Sequence, residues 1–289
     1  MDLCNLSVIK QVMADAGITF RKEFGQNFLT NRLIPEEIAD NCSEEQESLI
    51  IEIGPGIGCL TKELASRYRK VVAIEIDRGL IPVLDKTLAD YGNITVINDD
   101  VMKVDLRKLV EQYSEGLPVS VCANLPYYIT TPIIMYLLES GVKFKSITVM
   151  VQNEVAARLS AKAGSADYGA ITAILGYYGS VKKLFKVSAG CFVPAPKVDS
   201  AVVRIDLYDT PVYHPKNEKL FRNIIKFAFE MRRKTLVNAL YSKLSLPKEI
   251  IAEAIVGIGQ SETVRGEKLT TEDFVRLSDL LSEKLNIKI

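Results

Sequence analysis

The feature that most constrains the fold is an apolar run that enters a glycine-rich turn and leaves it as a helix. The run Leu49–Ile53 is followed by Gly54-Pro55-Gly56-Ile57-Gly58, and a helical pattern continues through Tyr68. Glycines at a strand-to-helix turn let the backbone approach a ligand closely. The spacing is G-x-G-x-G, not the G-x-G-x-x-G that binds a dinucleotide pyrophosphate. The turn therefore favours a ligand site without identifying the ligand.

Three further apolar runs end in polar residues downstream of this turn. The second run carries Glu75 about twenty residues past the turn, where such folds place the carboxylate that binds ribose. The third run, residues 94–97, leads into Asp100, and the fourth, residues 119–123, leads into Asn124. Ligands of open α/β sheets bind at the carboxyl ends of strands. The four strand ends therefore predict one site, in which Asp100 accepts a hydrogen bond from an adenine amino group.

The tetrapeptide Asn124-Leu125-Pro126-Tyr127 suits the chemistry of an exocyclic amino group. Such a nitrogen is a poor nucleophile because its lone pair is delocalised into the ring. Acceptors on its N–H groups, here the Asn124 side chain and the Leu125 carbonyl, would localise that lone pair. Pro126 would restrict the backbone and Tyr127 would stack on the base. Read alone, the same four residues are equally compatible with ordinary turn chemistry.

Together these motifs resemble one family, the S-adenosylmethionine-dependent adenine-N6 dimethyltransferases of ribosomal RNA, and most closely its bacterial small-subunit branch. The resemblance runs nearly end to end. The motifs that carry it are residues 24–29, 54–58, 124–127, 152–159, 168–169, 192–200, 232–236 and 265–269. An ordered set of this kind is highly specific.

The resemblance implies the roles of individual residues. The positions that line the methyl donor would be Asn27, Leu29, Gly54, Glu75, Asp100 and Asn124. Tyr127 and Phe192 would sandwich the target adenine. The substrate would be two adjacent adenines in the 3′-terminal hairpin of small-subunit (16S) ribosomal RNA, within the small ribosomal subunit or its precursor. A role in small-subunit biogenesis would follow.

The alternation of strands and helices over residues 49–151 is typical of a doubly wound α/β sheet. Two later strands, 181–187 and 201–207, would form an antiparallel pair that completes a Rossmann-like, seven-stranded sheet. Helical patterns are predicted at residues 7–17, 33–41, 153–163, 170–178, 216–230, 232–243, 247–256 and 271–286. We therefore expect a catalytic domain at residues 1–207 and a small all-helical domain at 208–289 that contributes to RNA binding.

The chain has no excess of basic residues, since its 36 Lys and Arg residues are balanced by 36 Asp and Glu residues. An RNA-binding surface would have to be local. The basic residues that we predict to contact RNA are Lys197, Arg222, Lys226, Arg232, Arg233 and Lys234. A cluster of lysines at residues 182–186 is a further candidate, although clusters of charge are often only solvated surface.

The cysteines, the single histidine and the lengths of the apolar runs exclude several other classes of protein. The five cysteines are scattered without a C-x-x-C pair, which indicates neither a disulfide framework nor a metal site. The one histidine, His214, leaves no credible base for Ser-His or Cys-His catalysis. No apolar run approaches the ~20 residues that a membrane span needs. We expect a cytoplasmic monomer that needs no metal and transfers the methyl group directly.

Two alternatives remain open at this stage. The same chemistry could act on large-subunit RNA or on DNA, although residues 232–236 and 265–269 resemble the small-subunit branch. A non-catalytic RNA-binding or assembly factor could keep the fold, but Glu75 and the intact tetrapeptide argue against lost catalysis. A nicotinamide dehydrogenase fits poorly because the glycine spacing and the catalytic residues do not suit it.

Overall fold

The protein is described by a computed structural model over residues 1–18 and 26–286. Phe24 and Gly25, which belong to the first predicted motif, lie outside the described residues. The remainder of that motif, from Gln26 onward, lies within them.

The described residues contain a seven-stranded sheet and a separate two-stranded pair. The strands are β1 (Phe28–Leu29), β2 (Leu49–Ile53), β3 (Lys70–Glu75), β4 (Ile94–Asn98), β5 (Val119–Asn124), β6 (Phe144–Gln152), β7 (Gly179–Val187), β8 (Phe192–Val193) and β9 (Ser200–Leu207). The large sheet has the order β4-β3-β2-β5-β6-β9-β7, and β1 pairs with β8. Strands β2 to β6 pair with one another in parallel, whereas β9 is antiparallel to β6. The predicted seven-stranded Rossmann-like class is confirmed.

Helices connect these strands and form the C-terminal part. They are α1 (Leu6–Asp15), α2 (Leu33–Asp40), α3 (Cys59–Arg67), α4 (Ile81–Thr87), α5 (Leu106–Tyr113), α6 (Thr130–Glu139), α7 (Asn153–Leu159), α8 (Ala170–Tyr178), α9 (Glu218–Glu230), α10 (Leu236–Tyr241), α11 (Lys248–Gly257) and α12 (Thr271–Asn286). Short 3-10 helices lie at Arg78–Leu80, Ala189–Cys191 and Gly266–Lys268.

The central strand β2 explains why its sequence reads as a continuous apolar run. It is paired on both sides, with β3 and β5, and all five of its residues are buried. Strands covered on both faces cannot alternate between apolar and polar residues. Helix α3 covers one face by burying Leu60 and Leu64 in a cluster with Ile50. The single charged residue of β2 is Glu52, which is 1% exposed.

Two predicted helices were too long. Residues 232–243 were predicted as one helix, but α10 begins only at Leu236. Thr235 has an extended backbone, and its side chain accepts a hydrogen bond from the N–H of Asn238, so it caps the helix there. The predicted helix 153–163 ends at Leu159 instead. The chain then turns through Gly164, whose φ of 86° lies in the left-handed region that a helix cannot continue.

The chain separates into two compact units. One contains Met1–Ala156 and Lys182–Asp209, and the other contains Ala157–Val181 and Thr210–Ile289. The first has the donor-side motifs of the sequence. The second has its own core, in which Phe221, Leu236 and Phe274 are fully buried. The predicted boundary near residue 208 lies close to Thr210, but residues 157–181 also group with the C-terminal helices, which the sequence did not predict.

Candidate active site

The strand order brings the predicted polar residues to one edge of the sheet. Along β4-β3-β2-β5, Asp100 follows the end of β4, Glu75 ends β3, Gly54 directly follows β2, and Asn124 ends β5. Parallel strands have their carboxyl ends at the same edge, so these four residues follow one another across it. The sequence order of the strands differs from this spatial order, which only the pairing determines.

A cavity lies at this edge. Its lining residues are Gln26, Asn27, Phe28, Leu29, Glu52, Gly54, Pro55, Gly56, Ile57, Cys59, Leu60, Glu75, Ile76, Leu80, Asn124, Leu125 and Pro126. Five of the six positions predicted to line the donor are among them. The sixth, Asp100, lines an adjoining depression that shares Gly54, Ile76 and Pro126 with the cavity. The two hollows therefore adjoin each other along the edge.

The glycine turn has a backbone that other residues would strain. Gly54, Gly56 and Gly58 have φ angles of 70°, 61° and 91°. A Cβ added to Gly58 would lie 2.9 Å from a methyl carbon of Leu88, and one added to Gly56 would lie 3.1 Å from the ring of Phe28. All three glycines thus suit the left-handed backbone, and Gly56 and Gly58 also allow a close approach that a side chain would hinder, whereas nothing lies within 4 Å of a Cβ added to Gly54.

Glu75 is held as a hydrogen-bond acceptor beneath the turn. Its Oε2 accepts from the Gly56 N–H at 3.1 Å, and its Oε1 accepts from the Asp77 N–H at 2.8 Å. Burial raises the pKa of its carboxyl to about 6, and the two backbone hydrogen bonds offset part of that rise. Near neutral pH the group is a carboxylate with lone pairs left over for further donors.

Asp100 is more open to solvent and is fixed by its own turn. Its Oδ1 accepts from the Met102 N–H at 3.0 Å, and its Oδ2 lies 3.7 Å from the Lys103 ammonium. The side chain is 27% exposed. The exposed apolar side chain of Ile76 lies in the same depression. An acceptor beside an apolar surface suits a flat heterocycle that carries an amino group.

Hydrogen bonds immobilise the turn after β5. The Asn124 Nδ2 donates to the Asn27 carbonyl at 3.2 Å, so the amide oxygen faces the other way. The Leu125 N–H donates to the Met150 carbonyl of β6 at 3.2 Å, and the Leu125 side chain is 1% exposed. The Pro126 carbonyl accepts from the Thr130 hydroxyl at 3.1 Å. The turn is therefore preorganised.

The two aromatic residues of the predicted base clamp differ in their surroundings. Tyr127 is half-buried, its hydroxyl lies 2.6 Å from the Ser200 hydroxyl, and burial raises its pKa. Phe192 is only 4% exposed, because β8 pairs with β1 and the ring packs into the core cluster beside Leu29. Neither ring lines the cavity with Glu75. The stacking role of this pair stays a prediction.

The predicted RNA-binding residues divide into two groups. Arg222 is bound to Glu218 at 2.8 Å and to the Tyr178 hydroxyl, while Arg232 donates to Glu267 at 2.7 Å and to the Ala166 carbonyl at 2.6 Å. Arg232 is nevertheless exposed, and so are the remaining residues, of which Lys226 lies 3.9 Å from Glu230. The remaining residues are Lys197, Lys226, Arg233 and Lys234.

Several cavity residues were not predicted from the sequence, and Glu52 and Ile76 are the two that bear most on the chemistry of the site. Glu52 lines the donor cavity although it lies inside a strand, and its signal was a lone acid in an apolar run. Ile76 is 49% exposed and lies where the cavity and the depression meet. In the sequence, Ile76 stands between Glu75 and Asp77. It looks like one more residue of the preceding apolar strand, so its exposure could not be predicted.

The cysteines are free thiols, and two of them lie close together. The Sγ atoms of Cys4 and Cys59 are 2.6 Å apart, and Cys59 lines the cavity. Within residues 1–18 and 26–286, no three His, Cys, Asp or Glu residues are grouped so that they could hold a metal ion. In the same part of the chain, every helix is too short or too polar to cross a bilayer.

The fold and the site together define a Rossmann-like methyltransferase of the class that uses S-adenosylmethionine as methyl donor. The chain belongs to the family described as Ribosomal RNA adenine dimethylase, whose model matches residues 17–283. The family that the motifs resembled is thereby confirmed.

Relatives of this chain span nearly its whole length. Ribosomal RNA small subunit methyltransferase A of Lachnoclostridium phytofermentans is 47% identical over 269 residues, which are 92% of this chain and 93% of the relative. Among solved structures, a dimethyladenosine transferase from Plasmodium falciparum has a TM-score of 0.73 at 26% identity, covering 90% of this chain and 98% of that one. The 23S rRNA methyltransferase ErmE has a TM-score of 0.69 at 26% identity, covering 89% and 100%.

Proposed function

We propose that this protein transfers methyl groups from S-adenosylmethionine to N6 of two adjacent adenines in the 3′-terminal hairpin of small-subunit ribosomal RNA. The observation that carries the proposal is the row Asp100, Glu75, Gly54, Asn124 along one sheet edge. The near-full-length likeness to Ribosomal RNA small subunit methyltransferase A favours the small-subunit substrate.

The order of the residues along the edge matches the order of the chemical groups in the donor. Asp100 and Ile76 offer an acceptor and an apolar surface to the adenine, and Glu75 offers a buried carboxylate to the ribose hydroxyls. The glycine turn lies next, and at Gly56 an added Cβ would lie 3.1 Å from the Phe28 ring, so a bare backbone suits that position. The amino-acid end of the donor would therefore lie over β2, with its methyl directed toward Asn124. The donor supplies an activated methyl group.

The acceptor side consists of Asn124 and Leu125. The Asn124 amide oxygen and the Leu125 carbonyl would accept from the adenine N–H groups and localise the nitrogen lone pair toward the methyl. The hydrogen bonds to Asn27 and Met150 hold both groups in place before the base arrives. The surplus proton would leave to solvent or through these acceptors after transfer. Most of the rate gain would come from alignment.

The base would have to leave its stack in order to reach this edge. An unpaired loop is cheaper to unstack than a duplex, which favours a hairpin as the substrate. Tyr127 and Phe192 would hold the base from its two sides. A second transfer needs room for the first methyl and one remaining N–H toward an acceptor.

Exposed basic residues would bind the phosphates. Arg233, Lys234, Lys226 and Lys197 are the candidates, while selection of the base would come from the pocket. The helical C-terminal part would contribute to RNA binding. The partner would be the small ribosomal subunit or its precursor. We infer a cytoplasmic monomer that needs no metal.

A methylation assay on different particles tests the proposal. The protein and labelled donor are incubated with small-subunit particles, large-subunit particles and naked RNA, and the nucleosides are then separated. We expect labelled N6,N6-dimethyladenosine from small-subunit RNA. Label from large-subunit RNA alone would refute the substrate, and binding without label would favour a non-catalytic assembly factor.

A further inference from the structure

Tyr127 and Ser200 are joined by their hydroxyl groups at the end of strand β6. The two oxygens are 2.6 Å apart. Ser200 begins β9, is fully buried and pairs with Gln152, the last residue of β6, whereas Tyr127 is half-buried and follows Asn124 in the turn after β5. Strand β6 lies between β5 and β9 in the sheet. The turn and the Tyr127 side chain together therefore reach from β5 to β9 across the carboxyl end of β6.

This contact lies beyond Asn124 as seen from the donor side of the sheet edge. Asp100, Glu75 and Gly54 belong to β4, β3 and β2, and Asn124 ends the next strand, β5. Strands β6 and β9 continue the sheet on the other side of β5. A base that places its amino group at Asn124, with the methyl group arriving from β2, is therefore bounded on its far side by Tyr127.

Ser200 also lies on the face of the sheet that holds Phe192. Residues two apart in a strand point to the same face, so the Ser200 side chain lies on the same face as that of Val202. Val202 and Phe192 belong to one buried cluster. The segment 192–200 thus carries one ring of the predicted clamp at its first residue and the anchor of the other ring at its last.

We propose that Ser200 is a positioning residue, which holds the Tyr127 ring in the orientation that the target adenine needs. The inference rests on the proposed function, because only there is the ring assigned to the base. A tyrosine ring turns about two side-chain bonds, and a hydrogen bond at its far end restricts both rotations. A base that stacks on a ring already held in place loses less free energy to ordering that ring.

The anchor should matter most for the second methyl group. N6 of an unmodified adenine offers two N–H groups to the oxygens of Asn124 and Leu125, whereas the monomethylated nitrogen keeps only one. The second transfer therefore depends more on stacking to hold the base. A Tyr127 ring that is free to turn should slow the second transfer more than the first, so N6-monomethyladenosine should accumulate.

Ser200→Ala, Tyr127→Phe and the double variant test this role with labelled S-adenosylmethionine and small-subunit particles. Each single change removes one hydroxyl and keeps the ring, so kcat/KM for the particles should fall about fivefold, as expected for one hydrogen bond. The double variant should be no slower than either single variant, because all three lack the same bond. In all three the ratio of monomethyl- to dimethyladenosine should rise, while the affinity for S-adenosylmethionine should stay at the wild-type value.

Ser146→Ala is the matched control. Ser146 is 1% exposed, lies on the same face of the β6–β9 pair at its opposite end, and donates to the Cys42 carbonyl. This variant should lower stability to denaturant but leave the ratio of the two products unchanged.

Two results would overturn the role of Ser200. One is additive losses of kcat/KM in the double variant, and the other is a product ratio in Ser200→Ala and Tyr127→Phe equal to that of Ser146→Ala. Tyr127→Phe changes a half-buried group and gives the same readout if Ser200→Ala does not fold. If the wild type itself yields no methylated adenosine, the proposed function fails, and the role of Ser200 fails with it.

Discussion

The donor edge of the sheet and the basic residues of the helical part would bind their ligands in opposite ways, the first the methyl donor and the second the RNA phosphates. At the edge, buried Glu75 and partly buried Asn124 are fixed by hydrogen bonds to backbone groups. In the helical part, Arg232, Arg233 and Lys234 are all exposed, and Arg232 is bound to Glu267. Buried groups act at low dielectric and exposed ones are screened by salt. Substitutions should therefore have large effects at the edge and small, salt-dependent effects on the helices.

The largest effect should come from Asn124→Ala. Removal of an acceptor that is placed for the transition state should lower kcat by on the order of 10²–10³ and leave donor affinity within about tenfold. Single-turnover assays and donor titration separate the two quantities. Asn124→Asp is the matched control, because it keeps an oxygen but loses the hydrogen bond to the Asn27 carbonyl. Full activity in Asn124→Ala would exclude the proposed mechanism.

Glu75→Gln should weaken binding of the methyl donor and should have less effect on the transfer step itself. Loss of the charged acceptor should weaken donor binding by about ten- to a hundredfold at pH 7. Burial raises the pKa of Glu75 to about 6, so wild-type donor affinity should fall as the pH drops through 6 and the carboxylate is protonated. The variant should lack that dependence between pH 5 and pH 7. Titrations that give parallel pH profiles for both proteins would refute the ribose role.

Gly58→Ala should test the backbone of the edge. The alanine would have to keep a φ of 91°, and its methyl group would lie 2.9 Å from Leu88. Together these effects should lower the free energy of unfolding by about 1–3 kcal/mol. Gly116→Ala is the control, because Gly116 has a φ of 84° with nothing within 4 Å of the added carbon. Denaturant unfolding should rank Gly58→Ala as the more destabilising variant. Equal losses would mean that strain alone, without overlap, sets the cost.

The smallest effects should distinguish Arg232→Ala from Arg233→Ala. Arg233→Ala should weaken RNA binding several-fold and lower the salt slope by about one, because one phosphate contact is lost. Arg232→Ala should mainly lower stability, by about 1 kcal/mol, because it removes the bonds to Glu267 and the Ala166 carbonyl. Filter binding at several salt concentrations and thermal unfolding measure both. The reverse pattern would place Arg232 at the RNA and contradict the comparison.

Much of the fold and of the site could be predicted from the sequence, because strands that are covered on both faces appear as continuous apolar runs. Runs such as Leu49–Ile53 must be apolar throughout, and the polar residue after each run marks its carboxyl end. Helix boundaries were less readable, because α10 begins where the Thr235 side chain accepts a local hydrogen bond from the Asn238 N–H. The state of charged side chains was least readable, since Arg232 and Arg233 are neighbours in sequence with different surroundings.

The sequence by itself determined the class of fold, the family motifs and the identity of the strand-end groups, because hydrophobic period and turn chemistry are local properties. Only the tertiary structure decided that Asp100, Glu75, Gly54 and Asn124 follow one another across one edge, because strand pairing is non-local. It also decided that Glu52 lies at the cavity and that its Oε2 has no hydrogen-bond partner among the described residues. Burial is a sum over many distant residues, and no local pattern encodes it.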